Sequence, residues 1–288
     1  MQTALDALIL SSLYALIGAG YVVIYRSSRV LNLALGDMMA LGGFLFFGGA
    51  TLGLGLVPSA AFAIAVSALT GALIYGGLIR PLSGRTVFSA VLITIAVGIV
   101  LCAVIQLIWG NEIRKPLAEF GLTNDMISIG DAGISTIGLV QVLAAVAVIG
   151  GTLVALRWTR WGMQTRAVAE SMLLASHRGV SVNVMLALSW AIAGGVAAVA
   201  GILYGLNVQL TGNMANIGLA ALAVPLMAGL TSLGGVIPAA AVIGGLETVV
   251  AHHGDPLLAQ TIPFLIILAV IVVRPWGLFG IEEELARV

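Results

Sequence analysis

Two acids stand inside apolar runs. Asp37 lies in Leu-Asn-Leu-Ala-Leu-Gly-Asp-Met-Met, and Glu247 in Gly-Gly-Leu-Glu-Thr-Val. An ionisable side chain at membrane depth is expensive and marks a pathway, a proton relay or a satisfied helix end. Asp37 directly follows Gly36, a position from which its carboxylate could cap a helix that begins there. Glu247 lies about one turn from the end of its run, within reach of either a neighbouring helix or a path. His252-His253-Gly254-Asp255-Pro256 follows it as an outside turn. Glu, His and Asp are metal-ligand types, but Gly254 and Pro256 mark a plain turn, and no metal site is read there. The three histidines are loop or surface residues and offer no nucleophile–base pair, so no catalytic residue is assigned. Lys115, the only lysine, sits between Arg114 and Pro116, so the Gly-Lys-Ser/Thr phosphate loop is absent and this chain binds no ATP itself. Cys102 is alone in an apolar run and supplies neither a disulfide nor a Cys-based metal site.

The elements that must hold these residues follow from composition. The chain has 288 residues, of which 60% are hydrophobic and 8% charged, with a mean hydropathy of +1.15. A soluble domain carries about 25% charged residues, so this surface cannot face water throughout. Disorder is excluded on the same ground, and the polar/apolar alternation of an outer-membrane barrel is missing. Twelve basic and twelve acidic residues balance, with no basic stripe suited to nucleic acid. The N-terminus carries Asp6 rather than a basic cluster, and its apolar run is too long for a signal peptide. What remains is an all-α polytopic membrane protein, read as a single transmembrane domain over 1–288.

Apolar runs long enough to cross ~30 Å of hydrocarbon cover Ala4–Tyr25, Val30–Leu52, Val57–Ile79, Val87–Trp109, Ile137–Leu156, Val184–Leu206, Ile217–Ala251 and Leu257–Val273. The seventh holds 35 residues, which as one helix would be about 52 Å long. It contains Gly-Leu-Thr-Ser-Leu-Gly-Gly at Gly229–Gly235 with Pro238 just beyond, a helix-breaking sequence. The run divides into Ile217–Leu230 and Val236–Ala251, giving about eight or nine segments.

Charge supports that division. Arg26/Arg29, Arg80/Arg85, Arg157/Arg160/Arg166/Arg178 and Arg274 form four patches, all of which belong in the cytoplasm by the positive-inside rule. The parity holds only if the seventh run crosses twice or forms a re-entrant pair. Ten of the 12 basic residues, Arg287 included, then lie inside. Arg114 and Lys115 lie outside, as does the N-terminus, and the C-terminus is inside. The long outside loop is 110–136, with Glu112, Glu119, Asp125 and Asp131, and the long inside loop is 157–183.

Two segments read as broken. In Leu31–Gly55, Asn32, Gly36 and Asp37 do not suit a lipid-facing helix, so the stretch before Asp37 is extended or re-entrant. Such backbone is tolerated only beside protein or a water-filled cavity. The second is Asn216–Gly245. Paired interruptions in opposite directions point to a transport path at an inverted repeat, although glycines also serve close helix packing. In the inside loop, Trp158 and Trp161 fit the membrane interface. Thr165–His177 favours a helix that stops at Gly179, with Val168, Met172 and Ala175 on one face. That helix either lies on the inner leaflet or docks a cytoplasmic partner.

Three regions together resemble the integral permease subunits of branched-chain amino acid ABC importers, over nearly the whole chain. They are Asn32, Gly36 and Gly42 with Met39 between; Gly162, Arg166, Ala167, Ala169, Glu170, Ala175 and Gly179 in the inside loop; and Arg274-Pro275-Trp276-Gly277-Leu278-Phe279-Gly280 near the C-terminus. The resemblance implies a bacterial inner-membrane permease paired with a second, related permease, more often in a heterodimer. It further implies two cytoplasmic ATPases that hold ATP and Mg, a periplasmic substrate-binding protein, surrounding membrane lipid, and no cofactor on this chain. Path or gate residues are expected at Asn32, Gly36, Asp37, Met39, Gly229, Gly234 and Gly235. ATPase coupling is expected at Arg166, Ala169, Glu170, Ala175 and Gly179. Leu35 stands where many members carry a polar residue, often His, and Asp37 where Glu is frequent. Relatives that move urea, amides or aromatic carboxylates keep the substrate open. The competing reading is a stand-alone secondary transporter with Asp37 as its coupling acid.

Overall fold

A chain with so little charge must satisfy its backbone internally, and helices do this within hydrocarbon. The computed structural model describes residues 1–82, 86–129 and 132–280. Arg85, Asp131 and Arg287, named above for their charge, lie outside the described residues.

The first half contains α1 (Gln2–Ser28), α2 (Leu35–Thr51), α3 (Leu56–Ile74) and α4 (Val87–Trp109). α3 runs on through a π-helical turn (Tyr75–Ile79) and a 3-10 turn (Arg80–Leu82). The 110–136 loop carries a short α5 (Pro116–Glu119) and a hairpin of β1 (Met126–Ile129) and β2 (Ala132–Ser135), antiparallel with Met126 opposite Ser135. The second half contains α6 (Thr136–Trp158), α7 (Arg160–Glu170), α8 (Met172–His177), α9 (Val182–Asn207), α10 (Ala215–Ala220), α11 (Ala223–Ala228), α12 (Val236–His253), α13 (Pro256–Ala259) and α14 (Ile262–Val273). Among the described residues seven helical stretches are long and apolar enough to cross a membrane, joined by two shorter ones, Leu35–Thr51 and Ala215–Ala228. The fold is all-α and polytopic.

Helices apolar on every side belong in the middle of a bundle. α1 is buried without interruption from Ser12 to Ile24. α9 is the other central helix, and its small residues let two neighbours approach closely. Gly42 of α2 rests on Ala198, the Met39 carbonyl on Gly201, and Gly71 of α3 on the Trp190 carbonyl. α4, α6 and α14 keep apolar faces exposed, among them Leu107, Val146 and Val272, as lipid-facing helices should.

The basic ends cluster. Arg26, Arg157 and Arg166 line one cavity, and Tyr75 Oη donates to Asn183 Oδ1 (3.2 Å), bringing the end of α3 to the start of α9. The opposite end gathers the Arg114 N–H on Leu210 O (3.0 Å), Ser135 Oγ on Asn207 Oδ1 (3.3 Å) and His252 beside Asp6 (3.3 Å).

Four local expectations change. Ile217–Leu230 is two short helices, α10 and α11, spanning 215–228, only about 21 Å along an axis, and ended by Gly229 at φ +98°. Leu257–Val273 is likewise divided into α13 and α14. The expected Thr165–His177 helix starts earlier, at Arg160, because Thr159 caps it by accepting from Gly162 N–H (3.2 Å). It then breaks at Ser171, whose backbone is extended and whose hydroxyl caps α8 by accepting from Leu174 N–H (3.3 Å). His252 and His253 close the last turn of α12 instead of lying in the turn beyond it. Asp255 caps α13 by accepting from Leu257 N–H (2.8 Å).

Candidate functional site

The site begins where α1 hands over to α2. Arg29 ends α1 in the left-handed region, at φ 55°. Residues 30–34 are non-helical, as expected of this stretch. Their polar groups find protein partners: Asn32 Oδ1 accepts from Ala34 N–H (3.1 Å), and Thr94 Oγ1 of α4 accepts from Leu33 N–H (3.1 Å). Asn32 itself is buried. The capping role expected of Asp37 is therefore corrected. α2 starts at Leu35 with Ala34 as its N-cap residue, and Asp37 is already the third helical residue. Asn32 fastens the non-helical entry by its bond from Ala34 N–H, one residue before the helix, and α2 itself has no side-chain cap.

Released from capping, Asp37 lies with its carboxylate against Gly98 of α4. It borders a cavity of about 640 Å³ whose other polar lining is Gln106, Asn213 and Asn216, with Ile95, Ile99 and Leu219 as apolar walls. A second cavity, about 630 Å³, is lined by Tyr14, Tyr204, Glu247 and Gln260, and shares Asn213, Asn216 and Leu219 with the first. Tyr14 Oη donates to Glu247 Oε2 at 2.7 Å. The segment entering α10 is thus a wall, with one membrane acid on either side. Sequence reasoning missed Gln106, Asn213, Asn216 and Tyr14. Asn213 and Asn216, three residues apart at the head of an apolar run, were the available signal.

The two interrupted segments touch. A Cβ on Gly36 would strike the Ala215 carbonyl and the Gly218 Cα, and one on Gly218 would strike the Gly36 backbone. Tyr21 Oη of α1 donates to Gly218 O (3.1 Å) and fixes the same crossing. Of the expected path residues, Asp37 alone is in the lining of these two cavities. Asn32, Gly36 and Met39 are packed inside, holding the segment that presents Asp37. Gly229 and Gly235 sit elsewhere, against the C-terminal strip. Leu278 N–H bonds Met227 O (2.8 Å) and Phe279 N–H bonds Ala228 O (3.0 Å). A Cβ on Gly277 would meet Gly229 N at 2.5 Å, and one on Gly235 would meet Phe279 Cδ2 at 2.7 Å. Gly234 is open on its Cα face. The Arg-Pro-Trp-Gly-Leu-Phe-Gly sequence is therefore a brace for the α11–α12 break.

In the 157–183 loop the expected residues divide between two directions. The Arg166 guanidinium donates to the Leu156 carbonyl and closes the end of α6, and Gly162 passes close to the same carbonyl. Val168 and Ala175 are buried, Ala169 is half-buried, and Glu170 and Gly179 are exposed. Met172, placed with Val168 by helical spacing, is exposed because the break at Ser171 turns it away. α8 ends in a Schellman arrangement, with Gly179 at φ +80°, Gly179 N–H on Ser176 O (2.9 Å) and Val180 N–H on Ala175 O (3.1 Å). This leaves Met163, Met172, Leu173 and Leu174 uncovered at the arginine-rich end.

The family model described as branched-chain amino acid transport system / permease component matches residues 3–271. The high-affinity branched-chain amino acid transport system permease protein LivH of Salmonella typhimurium is 26% identical, with 98% of this chain and 96% of that one covered. BraD of Pseudomonas aeruginosa, which carries the same description, is 27% identical over 98% and 96%. Among solved structures, PsaBC from Streptococcus pneumoniae in complex with Fab aligns with a TM-score of 0.49 at 13% identity, over 98% of this chain and 94% of that one.

Proposed function

The chain belongs to the family of branched-chain amino acid transport permease components, and from that premise we propose that it is the transmembrane permease subunit of an ABC importer for branched-chain or related amino acids. The observation that carries the reading is the Asp37 cavity. The carboxylate and three amides of its lining suit the ammonium and carboxylate of an amino acid, and Ile95, Ile99 and Leu219 suit an aliphatic side chain. Its volume lies within the range of small-molecule sites, about 300–1,000 Å³, and is generous for urea or a short amide.

The assembly follows from the same reading. A second permease completes the path, and two ATPases hold ATP and Mg on the cytoplasmic side. A periplasmic binding protein delivers the ligand. Glu170 and the uncovered Met163, Met172, Leu173 and Leu174 are the surface offered to the ATPases. Arg166, Ala169, Ala175 and Gly179 shape that surface from beneath or at its end. Gly229, Gly234 and Gly235 act as a hinge between α11 and α12, away from the cavity and against the C-terminal strip. In a bacterial inner membrane the arginine-rich end faces the cytoplasm, which puts the N-terminus outside and the C-terminus inside.

The test is uptake of labelled leucine in cells that lack the chain and are complemented with it, with and without the neighbouring ATPase genes. Restored uptake that requires the ATPases supports the proposal. Uptake by the chain alone in liposomes without ATP would replace it with the secondary transporter.

A further inference from the structure

Three arginines from three helices converge on one cavity. Arg26 at the end of α1, Arg157 at the end of α6 and Arg166 of α7 line a cavity of about 360 Å³, together with Leu153, Val154, Leu156 and Trp158. No carboxylate is in that lining, and among the described residues none of the three makes an ion pair. Like charges held together without a counter-charge are costly at low dielectric, so a bound anion would relieve them.

The surroundings say which anion. Trp158 is 72% exposed, and the Arg157 guanidinium lies 5.9 Å from its ring centroid. Such an aromatic–basic pair belongs at headgroup level. Below it, α6 presents an exposed apolar face through Leu143, Val146 and Val154. On this helix a Cβ at Gly150 or Gly151 would meet nothing within 4 Å, which leaves a notch in the exposed side. From Arg157 down to Val146 is about 16 Å, close to one leaflet of a ~30 Å core. A free anion would have no use for such a track, and an acyl chain would fill it.

We infer that this cavity binds the phosphodiester headgroup of an anionic phospholipid, with one acyl chain laid along α6 over Gly150 and Gly151. Basic pockets between helices on the cytoplasmic side are suited to such headgroups. The inference rests on the membrane fold alone and is separate from what the chain carries.

The full-length chain in neutral detergent is titrated with dioleoyl phosphatidylglycerol, dioleoyl phosphatidylcholine and inorganic phosphate. Binding is read by native mass spectrometry and by thermal shift. Phosphatidylglycerol should bind roughly tenfold more tightly than phosphatidylcholine, and the Arg26→Gln/Arg157→Gln double variant should lose about fivefold per arginine removed. Equal binding of the two lipids, or full retention by the double variant, overturns the inference. Protection by inorganic phosphate equal to that by phosphatidylglycerol makes this a free-anion site and overturns the lipid assignment. Arg157 is exposed at a helix end, so Arg157→Gln alone provides the readout should the double variant fail to fold. It should show the single fivefold loss.

Discussion

Gly36 and Gly218 meet backbone to backbone, each occupying the space that a side chain on the other would need. This crossing fixes α2 against α10 and so places Asp37 beside Asn213 and Asn216. Gly36→Val should lower stability by about 1–3 kcal/mol through overpacking. Gly245→Ala, where a Cβ meets nothing within 4 Å, should be near neutral. Thermal unfolding of both variants in one detergent checks the contrast.

Asp37 is the anionic group in the lining of the cavity it shares with Gln106, Asn213 and Asn216. Asp37→Asn keeps the shape and removes the charge, so folding and expression should hold while uptake falls about tenfold or more, the loss of one charge-assisted hydrogen bond. Initial uptake rates measured against substrate concentration give the answer. An unchanged concentration dependence would remove Asp37 from the path.

Tyr14 and Glu247 tie α1 to α12 through a 2.7 Å hydrogen bond. Tyr14→Phe leaves the carboxylate without that donor and should cost about 1–2 kcal/mol. Glu247→Gln in the same background should recover part of the loss, because a neutral amide is less costly to leave unpaired. A double-mutant cycle on unfolding temperature measures the coupling.

Leu173 and Leu174 are about two-thirds exposed on α8. Leu173→Asp/Leu174→Asp should leave the unfolding temperature of the isolated chain unchanged while reducing co-purification of the ATPase subunits about tenfold. Quantitative pull-down against the parent chain reads this.

Thr94 accepts a hydrogen bond from the Leu33 N–H at the non-helical entry to α2. Thr94→Val keeps the shape and orphans that N–H, so stability should fall by about 1–3 kcal/mol. Hydrogen exchange at residues 31–35 should quicken more than at the centre of α1.

The spans were legible because hydropathy is averaged over ~20 residues, and Val87–Trp109 is a helix with the bounds read from the sequence. Breaks signalled by glycine were also legible: Gly229 stops α11, and Gly179 ends α8. A break made by a side chain was not. Ser171 interrupts the loop helix by capping its own successor, and nothing in the periodicity of Val168, Met172 and Ala175 records it. Asp37 was found because an acid in an apolar run stands out, but it lies inside α2 rather than at its start, and Asn32, five residues earlier, is the side chain that bonds the entry backbone. Which of two nearby polar residues meets the backbone depends on where the helix starts, and here that is set partly by Thr94, 61 positions away from Leu33. Gln106, Asn213 and Asn216 escaped because amides raise no charge signal, and only the fold puts them around one space.

The brace at the C-terminus has a consequence for biogenesis. The carbonyls of Met227 and Ala228 find their partners in the N–H groups of Leu278 and Phe279, residues that the ribosome makes about fifty positions later. At about 5–20 residues per second, α11 waits several seconds after synthesis before its end is closed. Over that interval α12 to α14 enter the bilayer. This corner of the protein is thus closed late, by a clasp that shuts only once α14 has been made.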